Sequence, residues 1–325
     1  MPYLSTAQLC HPLVRAPRRV VTLPDESWTD LWPVGPVPAE LRVWDLTGPP
    51  PEGSDFVVVP YSDGARRLSS LRDVPDLAVV QILSAGFDDV LPFLPEGVTL
   101  CTAAGVHAAS TAELAVGLTL ASLRGIAAAA RDGMIGHWRS RSHTSLADRR
   151  VLVVGGAGSI GSAVVTRLES FEVSVITRVG TTARDDARGH VHGVGELIGL
   201  VRHHDVVILA CPLTEATRGL VDAEVLAAMP DGALLVNVAR GAVVVTDALV
   251  AELRRGRLAA ALDVTDPEPL PADHPLWQLP GATVTPHLGG NTSAFPPRAR
   301  RLLRDQVERY AEGRPLRNVV AGPRR

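Results

Sequence analysis

Short apolar runs alternate with longer segments of helical spacing along almost the whole chain. Alternation of this kind is the pattern of an α/β fold with parallel strands. In the first third the runs predict strands at Arg19–Leu23, Leu41–Leu46, Asp55–Val59, Leu77–Leu83 and Val98–Thr102. Proline-rich connectors such as Gly48-Pro49-Pro50-Pro51 separate several of them. A long Ala/Leu-rich helix is expected over His107–Leu123, and Asp132–Arg149, which mixes Gly, Ser, His and Arg, reads as a connector. A second set of strands is predicted at Val151–Val154, Val173–Ile176, Asp205–Ala210, Ala233–Val238, Leu258–Val264 and Ala282–Thr285. Helices fit between them, notably Ile160–Leu168 and Thr246–Arg255. The tail Pro297–Glu312 carries Leu302, Leu303, Val307 and Tyr310 on one helical face and is stopped by Gly313 and Pro315. Because it follows the second sheet, this helix is placed to pack back on the first domain.

Composition narrows the classes. A chain of 325 residues is long enough for two domains. At that size roughly three quarters of the unfolded surface is buried, so neither disulfides nor a metal is needed for folding. The 46% hydrophobic fraction argues against disorder, and the net charge of −3 gives no support to nucleic-acid binding. Every basic residue is Arg, which excludes chemistry that needs a lysine, such as the P-loop or a pyridoxal Schiff base. Cys10, Cys101 and Cys211 lie too far apart for a zinc motif or a disulfide framework. The N-terminus has no secretory pattern. The most membrane-like stretch, Ala108 to Ala130, contains Glu113 and Arg124 and is expected to be a buried helix, or two, instead. A cytoplasmic protein without a membrane partner is the expectation.

Val151–Val154 runs into Gly155-Gly156-Ala157-Gly158-Ser159-Ile160-Gly161. The GxGxxG pattern at Gly156, Gly158 and Gly161 sits after a strand and before a helix, the context of a dinucleotide-binding turn. Gly156 is assigned the tight turn, Gly158 the approach of a pyrophosphate, and Gly161 the close packing of helix on strand. A plain strand–helix turn is the alternative; the apolar strands that follow favour the dinucleotide. About 20 positions on, an NAD site carries an acid for the ribose hydroxyls. Here the strand reads Val173-Ser174-Val175-Ile176-Thr177-Arg178-Val179, with no acid before Asp185. Arg178, with Thr181, Thr182 and Arg184 behind it, suits a 2′-phosphate, so NADP is favoured over NAD.

Ligands in an open α/β sheet bind beyond the carboxyl ends of the strands. Three polar residues fall there: Arg240, Glu268 and His287. Singly they read as a helix-cap partner, a loop acid and a core histidine. Together, beside a dinucleotide loop, they form a coherent set. Arg grips a carboxylate and polarises the adjacent carbonyl. His donates a proton to that carbonyl as hydride arrives at carbon. Glu beside His favours the imidazolium.

At these residues the sequence resembles the D-isomer-specific 2-hydroxyacid dehydrogenases. The likeness is dense from Leu146 to Gly290. It includes Asp205 to Thr214, Thr217-Arg218-Gly219-Leu220 and Met229-Pro230-Asp231-Gly232, and extends to Ser84-Ala85-Gly86-Phe87-Asp88 and Asn318. The resemblance implies a Rossmann-type doubly wound sheet over about 123–290 for the cofactor. It also implies a flavodoxin-like α/β substrate domain made of 1–122 and 291–325, with a cleft between the two. It implies that Arg240 binds substrate, His287 is the acid/base and Glu268 orients it. Asp263 is implied to contact the nicotinamide carboxamide, and the N–H groups of Ala85 and Gly86 to receive the substrate carboxylate. Ser159, Ile160, Pro212, Thr217, Val238 and Ala239 are implied to line the cofactor, and the family suggests a homodimer. Two departures stand out. The family's acid falls at Val179, and its TxE becomes Thr292-Ser293-Ala294, a change of packing. Relatives that reduce glyoxylate and hydroxypyruvate also tend to lack the acid, so a small 2-oxo acid, reduced to a D-2-hydroxy acid, is the expected substrate.

Competing readings remain at this level. A dinucleotide-sensing protein resembling the C-terminal binding corepressors keeps similar residues, although no long disordered interaction tail is seen. An NAD-dependent oxidiser of formate or phosphite favours an acid at Val179. His190-x-His192 and His203-His204 lack the companions of a metal site and read as surface histidines. Cys211 has no identified base and reads as a packing residue. Trp138 resembles a family position between the domains.

Overall fold

The computed structural model describes residues 19–32, 36–61 and 64–323; Cys10 lies outside them. In chain order the strands are β1 (Val20–Leu23), β2 (Glu40–Val43), β3 (Ser54–Val58), β4 (Val79–Gln81), β5 (Thr99–Cys101), β6 (Arg150–Val154), β7 (Val175–Gly180), β8 (Arg184–Asp186), β9 (Gly189–Gly193), β10 (Val206–Leu209), β11 (Leu234–Asn237), β12 (Ala259–Leu262), β13 (Ala282–Val284) and β14 (Val319–Ala321). The helices are α1 (Ala108–Leu123), α2 (Ile126–Met134), α3 (Ser159–Leu168), α4 (Leu197–Val201), α5 (Ala223–Ala228), α6 (Thr246–Arg254) and α7 (Phe295–Ala311). The chain divides into two compact units: Met1–Ile82 with Phe93–Cys101 and Leu303–Arg325, and Leu83–Pro92 with Thr102–Leu302. The sequence places the divisions at 122/123 and 290/291 instead.

The first unit holds a sheet in the order β14-β5-β4-β3-β1-β2. Its parallel part, β2-β1-β3-β4-β5, has the flavodoxin-like order, and β14 adds an antiparallel edge. Leu23, Phe56, Val57 and Leu100 are fully buried, and the Phe56 ring packs on Tyr310 with centroids 5.2 Å apart. Two buried glutamines find partners: Gln306 Nε2 donates to Gln81 Oε1 at 2.8 Å, and Gln81 Nε2 donates to the Ile82 carbonyl at 2.8 Å.

The second unit holds the order β13-β12-β11-β10-β6-β7-β9-β8. All its pairings are parallel except β8 on β9. From β9 to β12 this is the doubly wound arrangement, whose order reverses between β6 and β10. Leu152, Val154, Val207, Leu209 and Leu235 pack with Val201, Leu226, Leu249 and Leu253 on one face. Val151, Val153, Val206, Ile208, Leu234 and Val236 pack with Ala112, Ala115, Val164 and Leu168 on the other. Burial on both faces explains why these strands read as continuous apolar runs and not as alternation.

Two local features depart from the sequence reading. Strand β7 runs through Gly180 and not only to Ile176, so Thr177, Arg178 and Val179 lie within the sheet. The β8–β9 hairpin follows it, unsignalled because Val191 is its one fully buried apolar residue. The Ala108–Ala130 stretch is two helices, one of the expected alternatives: Gly125, with φ +64, separates α2 from α1, but only α1 carries buried residues, so the expectation of burial fails for α2. Among the described residues no single helix is long and apolar enough to cross a membrane.

Candidate active site

The glycine loop opens the site. Strand β6 ends at Val154, and the Gly155 N–H donates to the Val179 carbonyl at 2.8 Å. The tight turn falls on Gly155, with φ +83, and not on Gly156 as the sequence suggests. A Cβ on Gly155 would stand 2.6 Å from the Ala210 carbonyl, and one on Gly161 would overlap the Gly155 carbonyl. The loop therefore packs tightly enough to bring β6, β10 and the start of α3 together. Gly158 is the extended N-cap residue of α3 and offers no side-chain cap, which leaves N–H groups of the first turn for an anion.

Two cavities share Gly158, Ala210, Cys211 and Pro212. The larger, about 270 Å³, is lined on its outer side by Gly180, Thr181, Arg184, Thr214 and Thr217. The smaller, about 200 Å³, is lined by Ala85, Gly86, Asp88, Ser159, Ile160, Val238, Ala239 and Arg240. A dinucleotide fits this layout: a phosphate subsite at the helix start, with one cavity on each side of it. Cys211 is a buried thiol pushed up to about 11 by burial, which suits the packing role expected of it.

Arg178 does not occupy the place the sequence reading assigns it. Its side chain is 5% exposed, and its guanidinium donates from both Nη atoms to Asp186, at 2.9 and 2.8 Å, and from Nη2 to the Gly189 carbonyl at 2.9 Å. The hydrogen bonds from Arg178 hold the Asp186 carboxyl below its usual range. The cause is the longer β7, which carries Arg178 into the sheet beneath the hairpin. Arg184 and Thr181 line the larger cavity in its stead. Val179, where the family acid falls, is fully buried.

Arg240 follows β11. The buried Asn237 brackets the turn: its Oδ1 accepts from the Ala239 N–H at 3.0 Å, and its Nδ2 donates to the Arg240 carbonyl at 2.9 Å. The Arg240 guanidinium donates from Nη1 to the Ala239 carbonyl at 2.9 Å and from Nε to Asp88 Oδ1 at 3.2 Å. It lies directly against the Gly86 backbone, where any Cβ would overlap it. The Gly86 carbonyl in turn accepts from Ser84 Oγ at 2.7 Å.

His287 follows β13 and adopts φ +52, a left-handed conformation that costs a non-glycine residue about 1–3 kcal/mol. Asp263, buried after β12, holds the segment in place. Its Oδ1 accepts from Thr285 Oγ1 at 2.7 Å and the Leu288 N–H at 2.8 Å, and its Oδ2 from the Gly289 N–H at 2.9 Å. The His287 N–H donates to the Asp263 carbonyl at 2.9 Å. His287 Nδ1 meets Glu268 Oε1 at 2.5 Å. That hydrogen bond raises the His287 pKa above the usual histidine value, against a lowering from burial and from Arg240. For Glu268, burial pushes the pKa up, but the hydrogen bond and charge of His287 outweigh it and the net shift is down. Both shifts favour the ion pair, and Nε2 is left for proton exchange.

The sequence-predicted residues thus fall into groups. Gly158, Ser159, Ile160, Pro212, Thr217, Val238, Ala239, Arg240, Ala85 and Gly86 line the two cavities. Gly156 and Gly161 shape the loop beneath, His287 and Glu268 form a half-exposed pair, and Asp263 supports the His287 segment. Asp88 and Asn237 were not singled out as site residues. The only sequence signal for Asp88 was its place at the end of Ser84–Asp88.

Comparison with known proteins gives a consistent neighbourhood. Residues 116–289 match the family described as "D-isomer specific 2-hydroxyacid dehydrogenase, NAD binding domain". The chain is similar to a glyoxylate reductase from Aeropyrum pernix, 30% identical over 86% of this chain and 89% of that one. It is also similar to the human glyoxylate reductase/hydroxypyruvate reductase, 33% identical over 67% of this chain and 69% of that one. Among solved structures it resembles an NADPH-dependent glyoxylate/hydroxypyruvate reductase from Sinorhizobium meliloti in complex with NADP and malonate. The TM-score is 0.77 at 25% identity, covering 95% of this chain and 99% of that one.

The ion pair is directly measurable. Glu268→Gln keeps the shape and removes the charge, so the His287 pKa should fall. An NMR titration of the His287 ring protons in parent and variant checks this. Superimposed titration curves would show that Glu268 does not set the protonation of His287.

Proposed function

Because the chain belongs to the D-isomer specific 2-hydroxyacid dehydrogenase family, we propose that it reduces small 2-oxo acids of the glyoxylate and hydroxypyruvate kind with NADPH. The coarser activity, an NAD(P)-dependent 2-hydroxyacid dehydrogenase, follows from the family and its named relatives. The observation that carries the finer reading is the pairing of His287 with Glu268 at 2.5 Å on a unit that also presents Arg240 beside the glycine loop. Arg240 and the Ala85–Gly86 segment at one cavity support a substrate that carries a carboxylate. The named relatives are oxidoreductases, which favours catalysis over the dinucleotide-sensing alternative.

In this reading the N–H groups at the start of α3 hold the pyrophosphate, and the bound nicotinamide supplies the hydride. Arg240 and the N–H groups of Ala85 and Gly86 receive the substrate carboxylate, and Arg240 polarises the neighbouring carbonyl. His287 holds the proton at Nε2 and delivers it to the carbonyl oxygen; in the reverse direction it accepts it. Glu268 keeps the ring charged until that delivery and fixes its orientation. Asp263 is the scaffold of the His287 segment, and its assignment to the nicotinamide carboxamide rests on the family resemblance alone. Reduction runs while His287 is protonated and falls as pH rises through its raised pKa. For NADPH, Arg184 and Thr181 are the groups assigned to the 2′-phosphate, since both line the outer cavity. The assembly proposed is a homodimer. Helix α2 and its continuation expose Ile126 (54%), Met134 (87%), Ile135 (66%) and Trp138 (97%), an apolar surface that suits a second copy.

Activity against a panel of 2-oxo acids, with NADPH and NADH compared, tests the reading as a whole. Arg240→Ala should raise KM and lower kcat, a combined loss of about 2–5 kcal/mol, while NADPH still binds; kinetics equal to the parent would place the carboxylate elsewhere. Arg184→Ala should narrow the preference for NADPH over NADH by about 1–3 kcal/mol. Equal affinity of the parent for the two cofactors would refute the assignment. Light scattering should give twice the chain mass for the parent and a single chain mass once Ile135 and Trp138 are both changed to Asp. A monomeric parent would rule out the dimer.

A further inference from the structure

Arg240 is held in a way that the reduction reaction does not by itself require. A free arginine has rotamer freedom that is lost when it grips a ligand. Here part of that freedom is already gone. Nη1 donates to the Ala239 carbonyl, the Nη2 end of the guanidinium lies against Gly86, and Nε donates to Asp88 Oδ1 at 3.2 Å. Of the five N–H donors of a guanidinium, these contacts take two. What remains is Nη2, which has no hydrogen-bond partner among the described residues, and the second hydrogen of Nη1. Those two nitrogens form the end-on edge that binds a carboxylate in bidentate fashion.

Asp88 stands at the cavity that Arg240 lines, and both side chains are 27% exposed. A second acid sits beside it. Burial, and then the charge of Asp88, raise the pKa of Asp89, while Arg240 pulls it down. Of the two acids, Asp88 is the one hydrogen-bonded to the Nε edge of Arg240.

We propose that Asp88 is the positioning residue of Arg240: by occupying Nε it presents the end-on edge, already oriented, to the carboxylate of the substrate. This rests on the reading of Arg240 as the carboxylate anchor. The alternative is that Asp88 competes with substrate for Arg240, which predicts the opposite sign. Preorganisation raises affinity by removing an ordering cost, so loss of Asp88 weakens binding of the carboxylate and leaves the dinucleotide unaffected.

The experiment compares parent, Asp88→Ala, Asp88→Asn and Arg240→Ala. It measures KM and kcat for glyoxylate, the inhibition constant of oxalate, and the Kd of NADPH by fluorescence. Asp88→Ala should raise KM and the oxalate constant together by about tenfold, more than it lowers kcat, with NADPH binding unchanged. Asp88→Asn, which keeps an oxygen acceptor for Nε and the same volume, should recover part of the loss. A lower KM or oxalate constant in Asp88→Ala would identify Asp88 as a competitor and overturn the proposal. So would unchanged values, or an NADPH Kd that rises in step with KM in both Asp88 variants. An Arg240→Ala variant that binds oxalate like the parent would instead overturn the anchoring role of Arg240, and this proposal with it.

Discussion

The parallel alignment of β6, β10, β11, β12 and β13 is the constraint on which the site depends. Parallel neighbours bring every carboxyl end to one edge of the sheet, and each crossover has to return along a face. The glycine loop leaves β6 at that edge, Cys211 and Pro212 leave β10, Arg240 leaves β11, Asp263 and Glu268 leave β12, and His287 leaves β13. Residues more than 130 positions apart in sequence, such as Gly155 and His287, are gathered by that alignment alone. The crossover helices also bury both faces, so the edge is carried on a sheet with little freedom to deform.

On that edge His287 and Arg240 are each paired with a carboxylate. Glu268 takes Nδ1 of His287, and Asp88 takes Nε of Arg240. In both cases the acid meets one side of the group and leaves another side clear of it. Asp263 does similar work on the backbone. Its buried carboxylate accepts three hydrogen bonds from residues 285–289 and compensates the left-handed conformation at His287. A charge so buried is tolerated because its lone pairs are met by donors at 2.7–2.9 Å.

The glycine loop and the central strands were legible from the chain because their causes are local. A run such as Val151–Val154 is apolar at every position since it meets α3 on one face and the α4–α6 layer on the other. Arg240, Glu268 and His287 were legible because each lies a few residues beyond such a run. The β8–β9 hairpin was not legible. Its residues are largely polar and exposed, and its place is set by the ion pair between Arg178 and Asp186 and not by hydrophobic period.

Sequence by itself determined the layers of this protein, the turn that opens the dinucleotide site and the residue types at the strand ends. These follow from periodicity, from glycine's freedom and from the chemistry of single side chains. Tertiary structure decided the pairings. Arg178 reads as a phosphate ligand in the chain, yet the hairpin folds back and claims its guanidinium, leaving Arg184 and Thr181 at the cavity. Asp88 is one acid among many until Gly86 lets the Arg240 guanidinium lie against the backbone beside it. A charge finds its partner through distances of about 3 Å set by packing, and no pattern along the chain encodes which of several acids will stand that close.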